Sequence, residues 1–409
     1  WGFTGPTIRG VRADGVRLIG RYKDGKISFG HLDKFSDPDS TEPFTLPDFQ
    51  ARLRDARVSL VTPWSNVGMV VSGDGNLRRS FNGKLAIVTP SLNFGGCVGT
   101  EANFQGDLRI RRAEPQLIGP AQLARLTCSE QNIAADHPRL DLDAGISEDL
   151  GRWRGKAGLR APSVTMAGYR ANALKLDANF SGTAQRTDLT VTAAVERWGA
   201  AMAQGQGAEL SLTGYVGSAG HAVDGKAKLL RSSVSSALRA NILRAGQGLA
   251  GTPIGPLGDQ AAKAAASALG DFTASSEFAV LSNQQAVEFA AANVAVRSGS
   301  GAVLTSGPNS RLMAAMDKGE LTWTADGPWA LQGGGLPQLT ADVKRASNGR
   351  VQGHLSMAPY VAGGAMLAMD RLQISGSGDG SYRFQSEIRL SGPVGDGRVE
   401  SADLPLSGQ

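Results

Sequence analysis

The sequence predicts a mainly β chain: a long antiparallel sheet with one pair of helices inserted into it. Three observations carry this expectation. Apolar and polar residues alternate in short runs from one end of the 409 residues to the other, the period of a strand with one buried face. Glycine, at 54 residues, is close to twice its average share, while Trp, Tyr and Phe together make 6%, a composition of many turns and few bulky anchors. The central runs arrive roughly every 15 residues with glycine or polar turns and no helix between them, which is the rhythm of a meander and not of parallel βαβ units. A hydrophobic share of 41% is far above that of disordered chains.

Taken in order, Val16-Arg-Leu18 and Ile27-Ser-Phe29 read as a hairpin about the turn signal Lys23-Asp24-Gly25. The polar, proline-bearing stretch 37–47 reads as a loop. Strands resume at Phe49 to Leu53, and Val58 and Leu60 then have the opposite parity. A bulge or tight turn near Arg54 and Asp55 would keep both apolar sets on one face. Met69 to Ser72 leads to the turn signal Gly73-Asp74-Gly75-Asn76, and the series goes on through Leu85 to Val88 and Phe104, Leu108 and Ile110. From Pro115 to Pro138 the periodicity weakens, and Gln122 to Leu126 reads as a short helix. Regular runs return at Leu140-Asp-Leu142, Ala157-Gly-Leu159, Val164-Thr-Met166, Leu174 to Phe180, Leu189 to Val195, and Leu210 to Leu212. The stretch Ala173 to Gly182 is the clearest single strand.

Leu229 to Leu269 breaks the pattern. Leu230, Val234, Leu238, Ile242 and Leu249 recur at helical spacing, Gly251 to Pro256 interrupts, and Asp259 to Leu269 is an alanine-rich second helix. This pair is expected to cover the sheet, with a membrane-surface role through Arg231, Arg239 and Arg244 as the alternative. Strands then continue at Phe278 to Val280, Val294 to Val296, Leu321 to Trp323, Leu339 to Val343, Val351 to Leu355, Leu372 to Ile374, Tyr382 to Phe384 and Ile388 to Leu390, before a polar tail, Ser401 to Gln409. The chain thus divides into a β region over 1–228, a helix pair over 229–270 and a second β region over 271–409.

Few residues suggest chemistry. The net charge is +5, yet Lys and Arg are interleaved with Asp and Glu, and the densest cluster is Arg109, Arg111 and Arg112, so solvated strand faces fit better than nucleic acid. His31, His137, His221 and His354 are far apart and form no ligand-spaced pair. Gly246 to Gly251 matches GxGxxG by letters but follows a helix instead of opening one after a strand. Asn179-Phe-Ser181 is a glycosylation sequon inside a predicted strand. Asp141, Asp143, Glu148 and Asp149 read as a solvated acidic loop without EF-hand spacing. No nucleophile, metal or phosphate-loop motif points to catalysis or to a cofactor. Cys97 and Cys128 either close one loop in an oxidising compartment or remain two buried thiols. No run of eighteen apolar residues is present, and the start at Trp1 instead of Met suggests a processed or excised piece, from which a signal or membrane anchor could have been lost with the missing start.

The stretch Gly15 to Phe35, with Leu46-Pro-Asp-Phe49, Leu53 to Leu60 and Thr62-Pro63, resembles the YdbH-type AsmA-like proteins, as does the helix pair with Gly251-Thr-Pro253 set between strand-rich halves. The resemblance implies a periplasmic protein of the Gram-negative envelope, anchored in the inner membrane through an N-terminal helix missing here. It also implies a long, curled antiparallel sheet forming an elongated open groove that conducts phospholipids between inner and outer membranes, with an outer-membrane lipoprotein as a partner extending the sheet. Leu18, Phe29, Leu60, Ile87, Ile110, Met166, Leu174, Leu176, Phe180 and Val191 would line the groove. Alternating apolar residues also suit a closed sandwich or barrel, an adhesive solenoid, or an assembly scaffold that offers a sheet edge to another β-protein.

Overall fold

The computed structural model describes residues 9–23, 26–29, 46–149, 151–252, 254–283, 286–317, 320–346, 350–377, 382–394 and 397–408. The expected turn at 24–25, most of the loop 37–47 and His31 lie outside them. In chain order the strands are β1 (Gly10–Asp14), β2 (Arg17–Lys23), β3 (Lys26–Ser28), β4 (Gln50–Val61), β5 (Asn66–Asn76), β6 (Ser80–Phe94), β7 (Cys97–Arg111), β8 (Glu114–Gln122), β9 (Arg125–Cys128), β10 (Ile133–Asp136), β11 (Arg139–Ile146), β12 (Arg152–Met166), β13 (Tyr169–Thr183), β14 (Arg186–Gly199), β15 (Ala203–Gly217) and β16 (Gly220–Val234). The helices α1 (Ser236–Gln247) and α2 (Gly255–Ala268) follow. Then come β17 (Phe272–Ser282), β18 (Ala286–Ser298), β19 (Val303–Ser306), β20 (Arg311–Asp317), β21 (Glu320–Asp326), β22 (Pro328–Gln332), β23 (Leu339–Arg345), β24 (Arg350–Ala362), β25 (Ala365–Ser377), β26 (Tyr382–Val394) and β27 (Gly397–Gly408).

The chain is therefore mainly β, with a large antiparallel sheet and one helix pair, as the alternation predicts. Two compact units divide it: 1–196 with 215–218, and 197–214 with 219–409. In the first, β2 and β3 form the expected hairpin, while β1 and β2 run parallel to β4. The bulge in β4 falls between Leu53 and Ala56 with Asp55 at φ 47°, where the parity change places it.

Six expectations are corrected. Gly73 to Asn76 is not a turn but the end of β5; the turn is at 77–79, because Gly73 leaves room for the Phe81 ring, 2.8 Å from where its β-carbon would stand. Gln122 to Leu126 is not helical: Leu123 N donates to Pro138 O and Ala124 N to Thr100 O, which ties the segment to strands on both sides. Ala157 to Met166 is one strand that runs through Pro162, and Tyr382 to Leu390 is likewise one strand. Leu229 to Val234 belongs to β16, and helix begins only past Ser235, whose hydroxyl caps α1 by accepting from Leu238 N. The polar tail is a strand, β27, paired in register with β26; its Ala402, Leu404 and Leu406 keep the period of two across Pro405.

In each unit the ladder closes a circuit of six strands. One runs β7–β8–β11–β12–β10–β9 and the other β18–β19–β22–β23–β21–β20. Such a circuit has the connectivity of a small six-stranded barrel, and the register explains it. β8 and β9 lie end to end along β7, and β10 and β11 lie end to end along β12. Two broken rows thus sit between two continuous strands.

Packed cores are small. Ala51, Phe81 and Ile110 form one with Leu46, Phe49 and Leu53 around them. Leu257 of α2 forms the other with Tyr360, Ala362 and Ala365 at the β24–β25 hairpin, where the Tyr360 hydroxyl donates to Gly335 O at 2.9 Å. Helix α2 thus covers the tip of one hairpin, and α1 packs on α2.

Candidate functional site

Residues directly paired across neighbouring strands place their side chains on the same face, so the register can be followed from strand to strand. In the first unit one row runs Leu18, Val58, Met69, Ile87, Phe104, Ala121, Leu140, Leu159 and Leu176 through β2, β4, β5, β6, β7, β8, β11, β12 and β13. No polar residue interrupts it. In the second unit another runs Leu229, Ala274, Val296, Leu304, Leu331, Leu339, Met357, Met369 and Ile388 through β16, β17, β18, β19, β22, β23, β24, β25 and β26. At about 4.8 Å per strand each row is roughly 38 Å long.

These side chains are neither in a core nor in open water. Phe104 is buried, and every other member of both rows is half-buried. The opposite face is charged, with cross-strand pairs such as Arg160–Asp141 at 2.9 Å and Lys226–Glu277 at 2.8 Å. The Lys84 ammonium bonded to Asp107 holds that carboxyl below its ordinary range.

The apolar face of the first unit is creased. Its inward set changes parity along one line that crosses six rows: Pro90 in β6, Glu101 in β7, Leu123–Ala124 between β8 and β9, His137–Pro138 between β10 and β11, Pro162 in β12 and Ala173 in β13. Glu101, His137 and Ala173 hold φ of 51°, 48° and 54°. Each irregularity bends its strand and shifts the alternation by one, so that beyond the line Leu92, Leu126, Ala135 and Val164 carry the apolar set on. In the second unit a similar line passes Ser276, Asn293 (φ 51°), 307–310 and Gly327.

Of the residues singled out by sequence, Leu18, Ile87 and Leu176 stand in the first row. Leu60 is two residues along β4 from it, paired with Gly20 and Val67, and the half-buried Phe29 lies over Gly20. Leu174 is half-buried beside the crease, opposite Ala161. Phe180 covers Gly155. Val191 is half-buried in β14. Ile110, at 5% exposure, belongs to the packed cluster with Phe81. Met166, at 50%, lies beyond the crease in a strand-end row with Phe94, Cys97, Cys128, Ile133 and Tyr169. Cys97 and Cys128 are bridged, joining β7 to β9. Sequence reasoning missed the second row: Val296, Leu339 and Ile388 fall in predicted strands, but Leu304 and Leu331 between them lie in strands of four and five residues that no alternating run marks.

The acidic residues of 141–149 are engaged. Asp141 pairs with Arg139 and Arg160, and Glu148 with Arg78. Among the described residues no group of three or more His, Cys, Asp or Glu is placed to hold a metal ion. No protein-family model matches the chain, and no curated protein matches it.

Proposed function

We propose that in each unit the uninterrupted apolar row lines an open groove that shelters acyl chains, and that the protein conducts phospholipids between the membranes of a Gram-negative envelope without catalysing a reaction. The observation that carries this is the continuity of apolar side chains, all half-buried but the buried Phe104, over nine neighbouring strands in each unit. Covering a sixteen-carbon chain against water is worth on the order of 12 kcal/mol at about 0.8 kcal/mol per methylene. An unbroken row removes the need to release the chain into water between successive positions. The creases support the reading, since stacked bulges curve a sheet about its apolar side. The Cys97–Cys128 bridge fits the oxidising periplasm. Among the described residues no helix is long and apolar enough to cross a membrane, so in this reading the inner-membrane anchor is supplied from outside the described residues, and a lipoprotein of the outer membrane extends the sheet by strand pairing.

The test is a photo-crosslinker placed at Leu176 or, as a control, at its neighbour Lys175 on the charged face. Phospholipid is expected on Leu176 alone, and mass spectrometry of gently purified protein should find it bound. Leu159→Glu should abolish lipid binding while leaving the circular dichroism spectrum unchanged. Equal labelling at both positions, or lipid-free protein with no labelling at either, rejects the groove.

A further inference from the structure

The hairpin tips of the first unit divide by charge. A meander sends alternate tips to opposite ends of its strands. At one end the tips are 62–65, 95–96, 129–132 and 167–168, and their only ionisable residue is Glu130. The tips at the other end include Arg78, Arg79 and Arg112, with Arg111 and Arg152 on the adjoining strand ends. Acids are present there too, but Glu148 is bound to Arg78 at 3.0 Å, and Asp149 accepts from the Ser147 hydroxyl and from Gly151 N.

Just inside this end, on the face opposite the apolar rows, is a recess of about 480 Å³. It exists because of one missing side chain. Arg109, Gln116, Gly145 and Arg154 are successive partners across β7, β8, β11 and β12, and Gly145 leaves a gap in the middle; the nearest atom to a β-carbon there would be Pro115 O at 3.8 Å. Four cations border the gap, Arg109, Arg111, Arg154 and Lys156, against two carboxylates. Both carboxylates are occupied: Glu114 accepts from Arg154 at 2.9 Å and Asp143 from Gln116 Nε2 at 2.5 Å. Arg109 is paired with Asp107 at 3.2 Å. Arg111 and Lys156 have no ion pair among the described residues, and Asn179 adds an amide.

We propose that this recess binds an anionic phosphate ester, with Arg111 and Lys156 supplying the charge and Asn179 a hydrogen bond. Two uncommitted cations beside a gap of this size suit the phosphate of a lipid head group or of a small soluble ester, and charge-assisted bonds to phosphate are the strong class. Because the recess and the apolar rows lie on opposite faces, binding here and acyl-chain uptake there succeed or fail separately.

The full chain is titrated with glycerol 3-phosphate by calorimetry and, in a second arm, sedimented with phosphatidylglycerol or phosphatidylcholine vesicles at about 0.15 M salt, where long-range attraction is screened. Saturable binding is expected in at least one arm. The soluble ester binding identifies a free phosphate ester, and phosphatidylglycerol vesicles alone identify a lipid head group. Arg111→Gln with Lys156→Gln should weaken binding about tenfold or more, and so should Gly145→Leu, which fills the recess and keeps every charge. Lys175→Gln, on the same face away from the recess, should bind as the parent does. Retained binding in Gly145→Leu, equal loss in Lys175→Gln, or no binding in either arm overturns the proposal. Thermal melts confirm folding, and if the double variant unfolds, Gly145→Leu alone decides.

Discussion

A β-carbon on Gly155 would stand 2.9 Å from the Phe180 ring and 2.4 Å from Asp143 O. The same seating recurs where Phe81 lies over Gly73 and Gly83, Phe104 over Gly106, and Phe278 over Gly225. Glycine in this chain thus also serves strand interiors, where it leaves room for a ring to lie over its own strand or the neighbouring one, and not only turns. Gly155→Val should destabilise by about 1–3 kcal/mol through overpacking, read as a lower denaturant midpoint. Gly199→Ala, with nothing within 4 Å of its added carbon, should be neutral or stabilising by up to about 1 kcal/mol. That Phe180 is apolar and inward is visible in its alternation with Asn179 and Ser181. Its seat on Gly155 is not, because the two residues meet only through the pairing of β12 with β13.

Among the strands, the crease is the feature that local sequence shows least. Pro162 and Ala173 face each other across β12 and β13, and Ala173 pays for its left-handed φ of 54° about 1 kcal/mol that glycine would not. Ala173→Gly is therefore expected to be neutral or mildly stabilising, whereas Ala178→Gly, in the regular part of the same strand, should cost about 0.5–1 kcal/mol. Equal losses at both positions in urea melts would argue against the bend. The bridge between β7 and β9 closes a loop of 31 residues and should contribute about 3–4 kcal/mol, seen as a lower melting temperature for the Cys97→Ser, Cys128→Ser protein. The bulge at Asp55 was legible because Leu53 and Val58 differ in parity within one short run. The line through Pro90, Glu101, His137 and Ala173 was not, since successive members are separated by up to 36 residues and only the register aligns them.

Over the chain as a whole, the half-buried apolar rows of the two units predict a native state that binds hydrophobic dyes. Anilinonaphthalene sulfonate should fluoresce with the folded protein at neutral pH while the near-ultraviolet circular dichroism is retained, and phospholipid should displace it; loss of that dichroism on dye binding would indicate a molten state instead. The sequence by itself determined that the chain is β, antiparallel and one-sided, and that helices interrupt it once, because alternation and helical periodicity are properties of neighbouring residues. Which residues stand side by side was decided only in three dimensions. The rows from Leu18 to Leu176 and from Leu229 to Ile388, the parallel seat of β1 and β2 on β4, and the gap at Gly145 between Gln116 and Arg154 all depend on how one strand is registered against the next, and a shift of one residue would turn each row to the other face.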